Sequence, residues 1–190
     1  MRVLIACERS GVVRDAFISR GHDAVSCDLV ASEAPGPHVI GDALELARSG
    51  MWDMMIAFPP CTHLAVSGAR YFAEKRADGR QQRGLQFVRD LMAAPIERIA
   101  VENPVGIIST QIRKPDQIIQ PWQFGHDASK TTCLWLQGIP PLMATGVIVK
   151  KRYANQTPSG QNKLGPSATR AMERSRTYAG IADAMASQWG

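Results

Sequence analysis

A chain of 190 residues, 45% hydrophobic and 21% charged, has the composition of a soluble globular protein, and a single domain over 1–190 is expected. The 22 Lys and Arg against 17 Asp and Glu leave a net charge of +5, which favours an anionic partner. No apolar stretch approaches the roughly 20 residues that span a bilayer, and the apolar part of "MRVLIACERSG" is too short for a signal peptide, so a cytoplasmic location with no membrane partner is expected.

In chain order, "RVLIAC" (2–7) predicts a buried strand, "GVVRDAFISRG" (11–21) a helix and "DAVSCDL" (23–29) a second strand. "ALELARSG" (43–50) predicts a short helix, "WDMMIAF" (52–58) a strand, "GLQFVRDLMAA" (84–94) a helix and "ERIAVEN" (97–103) a strand. Strands alternating with helices in this way predict right-handed crossovers and a doubly wound α/β sheet, parallel, with helices on both faces. Beyond residue 104 the pattern loosens. Short strands are expected near 117–120 and 131–136, a polar surface loop over 150–167, and a helix over 167–189 with a break near Ser175.

Ligands of such sheets bind beyond the carboxyl ends of the strands. Those ends carry "ACERSG", "CDL", "FPPC" and "VENP", nearly all the unusual chemistry of the chain. The four cysteines, Cys7, Cys27, Cys61 and Cys133, form no CxxC pair and have no histidine at metal-ligand spacing, so reduced thiols are expected and no metal. Three of them read as core. Cys61 differs, because Pro59 and Pro60 fix the backbone ahead of it and hold its thiol at the mouth of a site, where His63 or the basic loop beyond would favour the thiolate.

Glu102 follows an apolar strand and precedes Asn-Pro; if strands 52–58 and 97–103 are neighbours, a nucleophile and an acid share one pocket. Gly11, at the start of a helix, offers backbone amides to an anionic ligand. Asp28 closes the second strand, where nucleoside-binding folds place an acid for ribose hydroxyls. Asp28 and Asp42 also read as helix caps. His126, Trp122 and Trp135 read as structural.

Together, "AFPPCTHLAVSG", "GRQQRGLQFVRDLM" and "IAVENPVG" resemble the catalytic core of the DNA cytosine-5 methyltransferases, with a Pro-Cys nucleophile motif and a Glu-Asn motif in order. "RVLIACERSGVVRDAFISRGHDAVSCDL" resembles their first cofactor motif, and "SRTYAGIADAMASQW" their last. The resemblance implies a Rossmann-like S-adenosylmethionine-dependent methyltransferase sheet. It also implies that Cys61 attacks carbon six of a cytosine while Glu102 donates to the ring nitrogen. Cys7, Ser10, Gly11, Asp28, Asp42, Phe58 and Pro59 would border the S-adenosylmethionine, and Pro60, Asn103, Pro104, Ser67, Arg83 and Lys130 the substrate.

The chain departs from that pattern in three places. "ACERSG" is poor in glycine. Lys130 in "SKTTCLWL" stands where the family has an arginine-rich strand motif. A short loop, 143–166, replaces the long target-recognition region. These departures imply a compact, phage-like enzyme acting on double- or single-stranded DNA with loose specificity, alone, with a recognition partner or as a homodimer. Arg70, Lys75, Arg76, Arg80 and Arg83, with Lys150, Lys151 and Arg152, are expected to track phosphates. Three other readings stay open: an amino-nitrogen methyltransferase, a non-catalytic nucleic-acid-binding module with a decayed cofactor site, and an enzyme acting on RNA or a free nucleotide.

Overall fold

The computed structural model describes residues 1–160, 162–163 and 175–190. Seven strands form one sheet: β1 (Arg2–Ala6), β2 (Asp23–Asp28), β3 (His38–Ile40), β4 (Met54–Ala57), β5 (Arg98–Pro104), β6 (Gln117–Ile119) and β7 (Thr132–Gln137). Their order is β3-β2-β1-β4-β5-β7-β6. The first five are parallel; β7 returns antiparallel to β5, and β6 pairs antiparallel with β7. The expected parallel sheet therefore holds for the first five strands and gives way to an antiparallel pair at one edge.

The alternation of side chains across the pleat splits the interior in two. On one face Val3, Ile5, Met54, Ile56 and Ala100 pack under helix α1 (Val12–Ile18) and the last helix, α6 (Ala179–Trp189). On the other, Leu4, Ala6, Met55, Ala57 and Val101 pack under α2 (Ala43–Ala47) and α4 (Arg80–Met92). Trp135 and Trp189 are fully buried, one in each core. Between β4 and α4 the chain forms a 3-10 turn (Val66–Tyr71) and a short helix α3 (Phe72–Ala77), and after β5 a single turn α5 (Ile108–Gln111).

The predicted helix at 84–94 begins earlier, at Arg80, because Gly79 in the left-handed region (φ 77°) ends α3 and opens α4. The predicted break near Ser175 is matched by non-helical residues 176–178; the part of the predicted helix at 167–174 lies outside the described residues. Of the loop expected over 150–167, residues 150–160 and 162–163 contain neither helix nor strand, and the rest lies outside the described residues. Among the described residues no helix is long and apolar enough to cross a membrane.

Candidate active site

β4 and β5 are adjacent, with Ala57 paired to Val101, so the "FPPC" and "VENP" segments leave the sheet side by side. The Phe58 amide donates to the Ala6 carbonyl (2.9 Å), carrying the chain one residue past β4. Pro59 is buried, and its carbonyl accepts from Asn103 Nδ2 at 2.8 Å. Pro60 and Cys61 then emerge into solvent. The chain turns back at once, with the amides of Leu64 and Ala65 both donating to the Cys61 carbonyl (2.9 Å each).

From there the loop is stitched to the segment after β5. Val66 N–H donates to the Val105 carbonyl and Ile107 N–H to the Leu64 carbonyl, both at 3.0 Å, around a bridge between Ala65 and Gly106. Gly106 is required there, since a Cβ would sit 2.3 Å from the Leu64 oxygen. Lys75 closes the loop from below: it is 6% exposed and its Nζ donates to the Thr62 carbonyl at 2.6 Å. This corrects the expectation that Lys75 tracks phosphate, because its ammonium is spent on a backbone oxygen inside the protein. Ser67 lies exposed on the 3-10 turn, and Gln81 Nε2 donates to the His63 carbonyl (3.3 Å).

Glu102 lies on the α1–α6 side of the sheet, in a cavity of about 10 Å³ shared with Phe58, Lys130, Thr132, Tyr178 and Met185. That is room for about one water molecule. Burial raises the Glu102 carboxyl above its ordinary range, against the Lys130 ammonium and a hydrogen bond from Thr132, which both lower it. The balance favours a protonated acid, the form that donates. Pro104, half-buried, pairs with Thr132 across β7. Cys61 does not line this cavity.

His63, two residues beyond Cys61, is half-buried, and its Nδ1 has no hydrogen-bond partner among the described residues. Burial first, then the nearby Lys75 and Arg80, lower its pKa and favour the neutral ring. The Asn103 Oδ1, buried in the same corner, likewise lacks a partner. His126, by contrast, accepts from the Gly180 amide through Nε2 (2.8 Å), satisfying the first turn of α6. Its structural reading is the one the geometry supports.

At the ends of β1 and β2 the predicted cofactor residues gather. Cys7 takes a left-handed backbone (φ 58°), and its thiol is pushed up to about 12 by burial and by the charges of Asp28 and Asp42. Both carboxylates are thus near one thiol. Asp42 caps α2 through the Leu44 amide (2.8 Å), as its capping reading expects, whereas Asp28 accepts from Val30 N–H (3.2 Å) in the turn after β2 and caps no helix among the described residues. Leu29 and Val30 beside them are 77% and 48% exposed. Carboxylates next to open apolar surface fit the hydroxyls and flat base of a nucleoside.

The turn at Ser10 and Gly11 behaves differently from expectation. Glu8, 4% exposed, accepts from the amides of Val13 (2.7 Å) and Arg14 (3.1 Å) and from the Ser10 hydroxyl (3.1 Å). The amides that a ligand carboxylate would use at the start of α1 are therefore taken by the protein's own carboxylate. Gly11 (φ 75°) is held instead by Arg14, whose guanidinium would lie 2.5 Å from any Cβ added there.

No protein-family model matches the chain, and neither does any curated protein sequence. Among solved structures, the Entamoeba histolytica methyltransferase EhMeth is similar with a TM-score of 0.53 at 16% identity, over 78% of this chain and 57% of that one. A DNA modification methyltransferase encoded within an E. coli prophage is similar with a TM-score of 0.50 at 14% identity, over 78% of this chain and 52% of that one. The chain has the Rossmann-like α/β fold of these two methyltransferases. The chain spans little more than half the length of these two methyltransferases. Within this fold, sequence reasoning missed Glu8 and Arg14, and it named Lys75 for phosphate where the side chain holds the Thr62 carbonyl. "ACERSGVVR" signalled an unusual turn, but nothing in it says that an acid caps its own helix.

Proposed function

We propose that the protein transfers a methyl group from S-adenosylmethionine to carbon five of cytosine in DNA through a covalent Cys61 adduct. The observation that carries this reading is the stitched pair of loops, which fixes an exposed thiol on a stiff corner next to the strand that bears a half-buried carboxyl whose pKa is raised. The Cys61 thiolate adds to carbon six, forming the C–S bond. Glu102 gives a proton to ring nitrogen three, so that the electron pair gathers on carbon five. S-adenosylmethionine, when bound, supplies an electrophilic sulfonium methyl for that carbon. A base then removes the carbon-five proton, the C–S bond breaks to release the thiolate, and ring nitrogen three returns its proton to Glu102. Asp28 and Asp42 hold the nucleoside part of the donor, beside Cys7, Ser10, Gly11, Phe58 and Pro59. Lys130 keeps the Glu102 cavity polar; Pro60, Asn103 and Pro104 shape the wall that meets the base.

The decisive experiment supplies a tritiated methyl donor with duplex DNA, single-stranded DNA, RNA and cytidine nucleotides, followed by nucleoside mass spectrometry. 5-Methylcytosine in DNA, abolished by Cys61→Ser, is expected. An amino-nitrogen methyltransferase is the second reading, favoured by the fact that Cys61 stands outside the cavity holding Phe58 and Glu102. N-methylated bases formed equally well by Cys61→Ser would establish that reading instead.

A further inference from the structure

Helix α4 is amphipathic. Gln81, Leu85, Val88 and Leu91 are buried, while Gln82, Arg83, Gln86 and Arg89 recur at three- and four-residue spacing on the open side. That side forms one wall of a groove of about 590 Å³, whose other parts include Arg76 from α3 and Ile107 from the turn after β5. We infer that this groove holds the phosphodiester backbone of the nucleic acid strand whose base is presented at Cys61. The inference rests on the DNA reading above and deepens it.

Three features carry it. First, the structure sorts the basic residues. Lys75 is buried on a carbonyl, Arg80 is paired with Glu74 and Asp78, and Lys150 with Asp127. Arg76, Arg83 and Arg89 have no carboxylate partner among the described residues. Arg83 donates to the Asp78 carbonyl (3.4 Å) and Arg89 to the Gln111 carbonyl (2.9 Å), contacts that orient each guanidinium without cancelling its charge. Asp78, whose pKa Arg83 also helps to lower, is hydrogen-bonded to Arg80, and Asp90 is engaged by the Gln86 amide (2.8 Å) and by Arg48 (3.9 Å).

Second, the groove is joined to the Cys61 loop through its own lining. Gln81 donates to the His63 carbonyl, and Ile107 donates to the Leu64 carbonyl. A strand gripped here is therefore positioned relative to the thiol by two short hydrogen-bonded links. Third, the wall presents guanidinium donors from Arg76, Arg83 and Arg89 and amide donors from Gln82 and Gln86, beside the apolar Leu85 and Ile107. That chemistry suits phosphate oxygens, which fix register and carry no sequence.

The test reads binding without methyl donor. Fluorescence anisotropy of labelled 20-mers, single-stranded and duplex, is measured from about 50 to 300 mM NaCl for wild type and for R76Q/R83Q/R89Q. Each phosphate contact contributes a slope of about 0.9 on duplex or 0.7 on single strands in log K against log salt. The triple variant is expected to lose about two to three contacts' worth of slope, with affinity falling at least tenfold at low salt. R76Q/R83Q, which leaves the Arg89 link to Gln111 intact, is expected to lose about two and guards against a folding defect. A comparison variant, R20Q/K114Q, which removes two exposed charges outside the groove, is expected to keep the wild-type slope. A slope unchanged in both groove variants on both DNAs, or lost only in the comparison variant, overturns the groove. Wild type that shows no salt-dependent DNA binding refutes the DNA reading itself.

Discussion

The four thiols differ by environment in a way that chemistry can read. Burial is the leading cause that pushes Cys7 up to about 12 and Cys27 to about 11, and it raises Cys133 as well, whereas Cys61 is exposed on its proline corner. Reaction is through the thiolate. Limited iodoacetamide at pH 8 is therefore expected to alkylate Cys61 alone, as read by peptide mass spectrometry; an adduct on Cys7 before Cys61 would contradict the placement.

Glu102 gives a second residue-scale test with a definite sign. Its folded pKa is raised, so the folded state binds its proton more tightly than the unfolded chain does. The stabilising contribution is complete below the unfolded value of 4.5 and is lost as pH rises through the folded value. Glu102→Gln removes that loss. The variant should melt above wild type at pH 7 to 8, with the gain shrinking toward pH 4, while methyl transfer falls by about 10²-fold or more for want of the acid. A variant less stable than wild type at pH 8 would show that Glu102 is held as a carboxylate.

At the scale of elements, Arg14 is the joint that fixes the end of the sheet bearing Asp28 and Asp42, where the donor is proposed to bind. Fully buried on α1, it donates to the hydroxyls of Ser26 on β2 and Ser32 (3.2 Å each) and to the Pro35 carbonyl (2.7 Å), and pairs with Asp15. Gly11 and Gly36 approach it so closely that a Cβ at either would collide with its guanidinium. Arg14→Met keeps the volume but strands these acceptors, at a cost of about 3 kcal/mol in urea unfolding. Calorimetry should show S-adenosylmethionine affinity falling with it, since the β2–β3 loop beside Asp28 loses its anchor.

How much of this was legible follows from what each pattern depends on. β1, β4 and β5 announce themselves as apolar runs because both faces are covered; β4 and β5 are neighbours, but the pocket expected to hold Cys61 and Glu102 together is a cavity that Cys61 does not line. β3 was missed: it is three residues long at the sheet edge, with Val39 and Ile40 exposed, so no burial pattern marks it. "TTCLWL" reads as a strand, but its antiparallel direction depends on where the chain returns from β6, which no local periodicity encodes. Lys75 looked like a solvated cation in a polar helix. Only the carbonyl freed by the turn after Cys61 explains why it is inside.

For the molecule as a whole, selectivity turns on what stands between β7 and α6. In the described residues, 138–160 offers turns and no helix or strand with which to enter a major groove, while the open basic surface lies on α4. Each base pair read through a good bidentate contact adds about 1–3 kcal/mol of discrimination, so a surface without such contacts discriminates little at flanking positions. Methylation of a duplex pool with randomised flanks, read by bisulfite sequencing, should vary by less than about tenfold among neighbouring bases. The base must also leave its stack, at a cost of a few kcal/mol in a duplex that a single strand largely avoids. The same protein should therefore methylate single-stranded cytosines about ten- to a hundredfold faster than paired ones. A strict target motif, or a preference for duplex, would mean that base-edge readout comes from a surface other than the α4 groove, and the phosphate grip proposed there would then be secondary to it.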